Sequence, residues 1–382
     1  MNYYIIDALS PLVFRSGKPF GAQSDTDDIM FPLPSAAAGL IRTVSAQQQD
    51  GFSGSYDVAA LQNIAVNGLF LAKLDDSGSL KQVFVPKPAD ALYLKNKETD
   101  RVELLRLSPQ KVPEDCGSDL PHDLLPVQMA SSIKGKPQSG AAFWDLADFL
   151  AWQCDGQSLS YEDVQKNGAN HLPVEVRSHV AIDRDTLAGE DGKLFQSAAY
   201  DFANTRCENH QGWHEERYGF VIAAAESLND DLVRFGGEGR LSRLEKTEVP
   251  KQLFRQPEFQ QTNGLKLTLL SPAVFEQGWL PDCLDKDTLT GTLPQTDIRV
   301  KLRAAAIDRW QPVSGWDLAK HQPKAMRKAV AAGSVYWLEI LENQSFDAKD
   351  VAVLNYQSLC QNEQDRLDGF GLCLISAWQL PE

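Results

Sequence analysis

LSPLVFRSG at residues 9–17 returns as LSPAVFEQG at residues 270–278, 261 positions further along the same chain. In both copies an apolar run enters Ser-Pro, passes through Val-Phe and stops at Gly17 or Gly278. A strand reads this way when it ends in a turn that requires glycine. A strand ending that occurs twice implies a domain that occurs twice.

The far ends of the two halves agree as well. The first closes on GGEGRLSRLEKTEV and the second on DGFGLCLISAWQL, each a glycine loop running into a strand. Between these limits the first half reads as a strand over YYIIDAL and a helix from PLPSAAAGLIR. Ser35 is the expected N-cap of that helix behind Pro34, and Ala37, Leu40, Ile41 and Val44 form its buried stripe. NIAVNGLFLAKL and KQVFVPKP read as strands, residues 108–140 as charged, Pro-rich sequence, and GAAFWDLADFLAW as an amphipathic helix. EVRSHVAIDRDTLAGEDGKLFQSAAYDF reads as strand, turn and strand, RYGFVIAAAES as a strand and NDDLVRF as a short helix. The second half opens on LKLTLLSPAVF, where Leu265, Leu267 and Leu269 alternate with Lys266 and Thr268 as in a half-buried strand. It continues through GSVYWLEI as a strand and DVAVLNYQSLCQ as a helix. This outline is that of a βαββαβ unit. The expected fold class is α+β, with two tandem ferredoxin-like (RRM-like) domains at 1–258 and 262–382. Leu9 and Gly237 are 228 positions apart, Leu270 and Gly369 only 99, so the first domain is expected to carry a large insertion.

A chain of 382 residues is too long for a single core. Its 43% hydrophobic and 23% charged residues are those of an ordinary globular protein. The N-terminus places Asp7 within its short apolar stretch and lacks a basic flank, so no signal peptide is expected. No run reaches the roughly 18 apolar residues of a membrane span. The six cysteines stand singly, as reduced thiols of a cytoplasmic protein do. A net charge of −15 argues against a broad nonspecific nucleic-acid surface. Residues 295–330 are the exception, with eight basic residues, among them Arg299, Lys301, Arg303 and Lys324, against three aspartates.

Three stretches bear on chemistry. The helix start at Ser35, followed by three alanines, offers free N–H groups and a positive dipole end to a phosphate, or is simply a capped helix. FGGEGRLSR at 235–243 offers three glycines for close backbone approach and two arginines for charge. It is neither a Walker loop nor a dinucleotide fingerprint, so no nucleotide cofactor is expected. Its recurrence as Gly369-Phe370-Gly371 in the same relative place strengthens the reading. Cys207, His210 and His214 have the spacing of zinc ligands but no evident fourth member, and a polar surface loop is the expected case. His179 lies on an apolar strand without a partner at recognisable spacing, and no catalytic constellation is found.

The succession LSPLVFRSGKPFG, FPLPSAAAGLIR, HVAID, DGKLF, FGGEGR, LSPAVFEQGW, GWDLAKHQPKAMRKAVAAGSVYWLE and GFGLCLISAW resembles subunit three of the Cmr complex, the RNA-guided type III-B CRISPR effector of antiviral defence. That subunit belongs to the RAMP superfamily. The blocks run from about residue 6 to 378, and Ala331 stands where the family commonly has proline. The resemblance implies a noncatalytic subunit that grips the repeat-derived 5′ handle of the CRISPR RNA and docks the large polymerase-like subunit and the backbone subunits. The residues expected to bind RNA are Arg15, Lys18, Ser35, Arg42, Gly236, Gly237, Gly239, Arg240, Arg243, Arg299, Lys301, Arg303, Lys324, Gly369 and Gly371. The loop from Met129 to Lys136 is a further candidate for a projecting element. The alternatives are a processing endoribonuclease of the same superfamily and a protein scaffold with little RNA contact.

Overall fold

Burial of six of the seven residues of β1 (Asn2–Ala8) marks it as a central strand. The computed structural model describes residues 1–15, 29–50, 57–130, 132–154, 159–202, 206–209, 212–248, 253, 255–317, 320–341 and 345–381, with backbone alone at 50, 122, 206–209 and 212–215. These residues form two units: Met1–Lys81 with Leu172–Val249 and Pro312–Arg327, and Gln82–His171 with Pro250–Gln311 and Lys328–Glu382. Residues 82–171 cluster with the second of these units. Both units are mixed α/β, rich in antiparallel strands and poor in helix. No helix among the described residues is long and apolar enough to cross a membrane.

In the first unit, β1 is followed by α1 (Pro34–Asp50), α2 (Val58–Gln62), β2 (Val66–Leu74), β3 (Arg217–Ala224), β4 (Asp231–Arg234) and β5 (Leu241–Thr247). They pair antiparallel in the order β4-β5-β1-β3-β2. Ala37, Leu40, Ile41 and Val44 of α1 are all buried, as the 3.6-residue spacing requires. Asp57 caps α2 by accepting from the Ala59 and Ala60 amides. The NDDLVRF segment, read as a helix, contributes β4 instead. Val233 alone among its four residues is buried, an alternation that suits an edge strand, and Asp231 to Arg234 pair with Leu244 to Leu241. The paired strands Val174–Ile182 and Gly189–Tyr200 form a ribbon rooted by the Leu12–Tyr200 bridge. Val176, Val180, Ile182, Leu194 and Phe195 of this ribbon are exposed.

In the second unit, residues 82–171 contribute all but the first two residues of the strand Leu80–Pro86, the strands Ala91–Asn96, Val102–Pro109 and Phe143–Asp145, then α3 (Leu146–Gln153) and α4 (Tyr161–Asn167). The segment GAAFWDLADFLAW therefore divides into a strand and α3, the helix starting where the Asp145 carboxylate accepts the Ala147 amide. The repeat's strands follow: β6 (Gly264–Leu269), β7 (Thr290–Thr292), β8 (Arg299–Ala306), β9 (Val335–Ile340) and β10 (Cys373–Trp378), with α5 (Glu363–Asp368) before the last. Their order is β7-β8-β9-β6-β10, antiparallel throughout. DVAVLNYQSLCQ, read as a helix, holds only a 3-10 turn at Ala352–Leu354.

The half-buried reading of β6 is corrected, because Lys266 and Thr268 are as buried as the leucines between them. The 82–171 segment covers the second face of this sheet. Asp90 accepts Lys266 Nζ at 3.0 Å and Trp152 Nε1 at 2.8 Å, and Ser376 Oγ donates to Gln153 at 3.2 Å. Ala89, Leu125 and Val127 pack against Trp337 and Trp378. A buried lysine is tolerable only with a fixed counter-charge, and Asp90, itself 1% exposed, supplies it.

Candidate nucleic-acid interface

The glycine loop of the first unit, residues 235–240, is the hairpin connection between β4 and β5. Its root is apolar. Phe235 is fully buried, edge-on to Phe14 at 5.0 Å and to Phe220 at 5.7 Å between centroids. Burying such a ring contributes about 1.5–3 kcal/mol, enough to fix where the exposed tip begins. The Gly237 amide donates to the Val13 carbonyl at 2.8 Å and the Phe235 amide to the Arg240 carbonyl at 3.1 Å. Gly236 and Gly239 lie at φ 86° and 65°, where glycine alone is unstrained. Gly237 does not, and a Cβ there would meet the Val13 carbonyl oxygen at an ordinary 3.5 Å. A side chain at Gly237 therefore forces no unfavourable φ. Gly236 is the constrained position, its Cβ falling 2.8 Å from that oxygen.

Between these glycines stands Glu238, also at positive φ, 60°. Its carboxylate accepts Arg15 Nη2 at 2.9 Å on one oxygen and Arg240 Nη2 at 2.9 Å on the other. Partial burial pushes this carboxyl up, but hydrogen bonding and charge from Arg240, then Arg15, outweigh it and hold the group below the usual carboxylate range. Its charge also reaches Arg177 on the ribbon, which pairs with Glu175 at 2.9 Å. Among the described residues the amides of Gly236, Glu238 and Gly239 have no acceptor, and all three residues are exposed. The loop thus presents unpartnered N–H groups beside the Arg15 and Arg240 guanidinium groups, an arrangement whose chemistry suits an anion. Glu238 and Arg177 were missed in the sequence. A carboxylate inside a basic glycine loop looked like a bystander, and Arg177 is brought near only by the ribbon.

The other expected residues are dispersed. Lys18 lies outside the described residues, as does His210; the side chains of Cys207 and His214 do too, although Cys207 pairs with His214 along the backbone. Among the described residues no cluster of His, Cys, Asp and Glu is arranged for a metal. α1 begins at Pro34, so Ser35 stands inside the first turn and not at the cap, Pro34 having no N–H to satisfy. Arg42 is half-buried and donates to the Ile64 carbonyl at 3.1 Å, joining α1 to the entry of β2. Arg243 is drawn to Asp7, at 3.8 Å, and to Glu245, at 3.4 Å. Asp7 is buried and held chiefly by Arg217. His179 shares a 2.8 Å hydrogen bond with Ser197 and stacks on Phe195 at 4.9 Å.

Gly369 and Gly371 are buried. Gly369 ends α5 in the left-handed region, and the Gly369, Phe370 and Gly371 amides donate to Arg366, Asp365 and Pro272 carbonyls. With these groups spent internally, the second loop presents no backbone donors to a ligand, contrary to expectation. The physical difference is its entry: the first loop leaves an edge strand, the second leaves a helix.

On β8, Arg299, Lys301 and Arg303 alternate with buried Val300, Leu302 and Ala304. Arg303 is the extra residue of a bulge opposite Leu338 and Trp337, and its Nε lies 3.6 Å from Glu339. Lys324 sits in the first unit on an exposed turn, its amide bonded to the Gly315 carbonyl at 2.8 Å, beside exposed Trp316. The Met129 to Lys136 candidate joins the strands Val127–Met129 and Gly135–Pro137, and Ser131 within it lies outside the described residues.

Residues 4–378 match the model of the CRISPR-associated protein family Cas_Cmr3. The chain belongs to that family, and it is a Cmr subunit of the type III-B CRISPR system. Among solved structures it is similar to a chain of the type III-B Cmr-β cryo-EM structure bound to cognate target RNA and AMPPnP. The two share 17% identity with a TM-score of 0.47, over 88% of this chain and 86% of that one. A second cryo-EM structure, of Cmr-β bound to cognate target RNA, matches at 16% identity and TM-score 0.47 over the same shares. A chain of the Csm3-Csm4 subcomplex crystal structure, from the type III-A interference complex, matches at 10% identity and TM-score 0.34, covering 91% and 94%. No curated protein matches.

Proposed function

We propose that this Cmr subunit is a noncatalytic RNA-binding protein of the cytoplasm that holds the 5′ handle of the CRISPR RNA and docks the large polymerase-like subunit and the backbone subunits. In this reading both repeats are ferredoxin-like RAMP domains, 1–258 and 262–382, that have lost one helix each. The strand orders β5-β1-β3-β2 and β10-β6-β9-β8 support it, since both place the first and third strands of a βαββαβ unit at the centre.

The observation that carries the RNA role is the exposed loop at 236–240, with three unpartnered amides beside Arg15 and Arg240. Phosphate contacts of this kind position a strand and carry no sequence information, which suits a subunit whose guide reads the target by base pairing. The ribbon at 174–200 adds exposed ring and apolar surface, Phe195 above all, on which an unstacked base can rest. The basic face of β8 offers a further phosphate surface in the second unit. Ultraviolet crosslinking of the assembled complex, read by mass spectrometry, tests the assignment. Crosslinks from handle nucleotides to the peptide containing 235–243 are expected, and handle crosslinks confined to other subunits would refute it.

A further inference from the structure

Arg15 and Arg240 converge on one carboxylate. Each contributes an Nη2 at 2.9 Å, one to each oxygen of Glu238, so the two guanidinium groups face a shared, two-oxygen anion. A phosphodiester presents the same pair of oxygens. Nothing in the folding of the loop requires an acidic residue here. The hairpin is closed by the Phe235–Arg240 and Gly237–Val13 backbone bonds, and Glu238 pays for its place with a left-handed backbone that a glycine would adopt without strain. The pair of bridges is exposed, with side-chain exposures of 43% for Arg15, 38% for Glu238 and 23% for Arg240, so water and solutes reach it. An exposed ion pair is worth about 0–1 kcal/mol and is readily exchanged.

We propose that Glu238 is a built-in, exchangeable anion: its carboxylate occupies the phosphate position between Arg15 and Arg240 and gives way to a backbone phosphate of the bound RNA. This rests on the reading of the loop as an RNA site. The consequence is selectivity. In a protein of net charge −15, a loop of free arginines and amides would collect any polyanion, whereas a loop already filled by its own carboxylate binds only a strand held by additional contacts. The alternative role is a strut that fixes the arginines for the ligand. The two differ in sign. Removing a competitor strengthens binding, and removing a strut weakens it.

The experiment uses the complete complex reconstituted with this subunit as wild type, Glu238→Gln, Arg15→Ala, and Arg15→Ala combined with Glu238→Gln. Each is titrated with handle-bearing guide RNA and with a random single strand of equal length at two salt concentrations. Glu238→Gln keeps the side chain's size but removes its charge and leaves one acceptor oxygen where the carboxylate had two, and complex assembly is checked by size-exclusion chromatography. Glu238→Gln is expected to bind the random strand about fivefold more tightly, to gain less on the handle-bearing guide, and to steepen the log-log salt dependence by about one unit. In the Arg15→Ala background the gain is expected to fall by at least half. Weaker binding by Glu238→Gln, or no change in either affinity or salt slope, overturns the proposal while Arg15→Ala still weakens the handle-bearing guide. If Arg15→Ala also changes nothing, the reading of the loop as an RNA site falls with it.

Discussion

Ser271 accepts the Leu372 amide on its hydroxyl oxygen at 2.9 Å, and 261 residues earlier Ser10 accepts the Leu241 amide at 3.2 Å. The residue before each serine completes the pattern: the Leu270 amide donates to the Leu372 carbonyl at 2.7 Å and the Leu9 amide to the Leu241 carbonyl at 3.1 Å. The Ser-Pro of the repeated motif is therefore the device that ties the first strand of each repeat to the start of its last, closing the glycine loop between them. Ser271 is buried and also donates to the Gly369 carbonyl, whereas Ser10 is partly exposed. Ser271→Ala is expected to cost about 1–3 kcal/mol, because it leaves buried partners unsatisfied, and Ser10→Ala less than about 1 kcal/mol. Urea unfolding of the two variants, compared with wild type, measures the difference.

The two glycine loops predict opposite tolerance. A Cβ at Gly371 would fall 2.7 Å from Cys360 Sγ and 3.2 Å from the Cys360 amide nitrogen, with φ at 73°. Gly371→Ala is expected to lower the melting temperature by several degrees, corresponding to about 2 kcal/mol or more. Gly237→Ala, with its nearest neighbour at 3.5 Å and no positive φ, should melt within a degree or two of wild type. Differential scanning fluorimetry distinguishes them, and equal losses would contradict this account of the loops.

Asp90 and Lys266 form the buried pair beneath β6, with Trp152 Nε1 as a third partner and Arg106 at 3.9 Å. Lys266→Met removes the ammonium from a buried carboxylate and Asp90→Asn removes the counter-charge from a buried ammonium, each expected to cost about 3–5 kcal/mol. The double variant should be more stable than the sum of the two losses predicts by at least about 1 kcal/mol, since it removes both charges together. A double-mutant cycle in denaturant that sums without coupling would mean that the two groups do not share this site.

Glu238 supplies a pH signature. Its folded-state carboxyl is held below the usual range, so its bridges to Arg15 and Arg240 are intact above the unfolded-state pKa and are lost as pH falls through the lower folded value. In a carboxyl-detected NMR titration, Glu238 should titrate below an exposed glutamate of the same chain. Arg240→Ala should move its midpoint upward, and an unmoved midpoint would contradict the geometry.

The repeat, the first and last strands of each half and the buried stripe of α1 were legible because each rests on local chemistry: Ser-Pro before a turn, alternation, and 3.6-residue spacing. What escaped depends on partners distant in sequence. Lys266 looked like the solvent side of a strand because nothing local reveals that residues 82–171 cover it. NDDLVRF and DVAVLNYQSLCQ are too short for periodicity to separate helix from strand or turn. The Gly369 loop matched its counterpart in composition, yet the helix before it buries its amides. Glu238 was invisible because a carboxylate in a basic glycine loop looks like a bystander; only the paired 2.9 Å contacts join it to Arg15 and Arg240.

The 236–240 loop, with Arg15 and Arg240, is proposed to grip the handle. The most direct measurement is a binding titration of the assembled complex carrying Arg15→Ala with Arg240→Ala, using guides with and without the 5′ handle at two salt concentrations. Handle-bearing guide is expected to bind about tenfold or more weakly than to wild type, with a log-log salt slope shallower by one to two units, while the handle-less guide is little changed. Equal loss for both guides, or no loss for either, would contradict it.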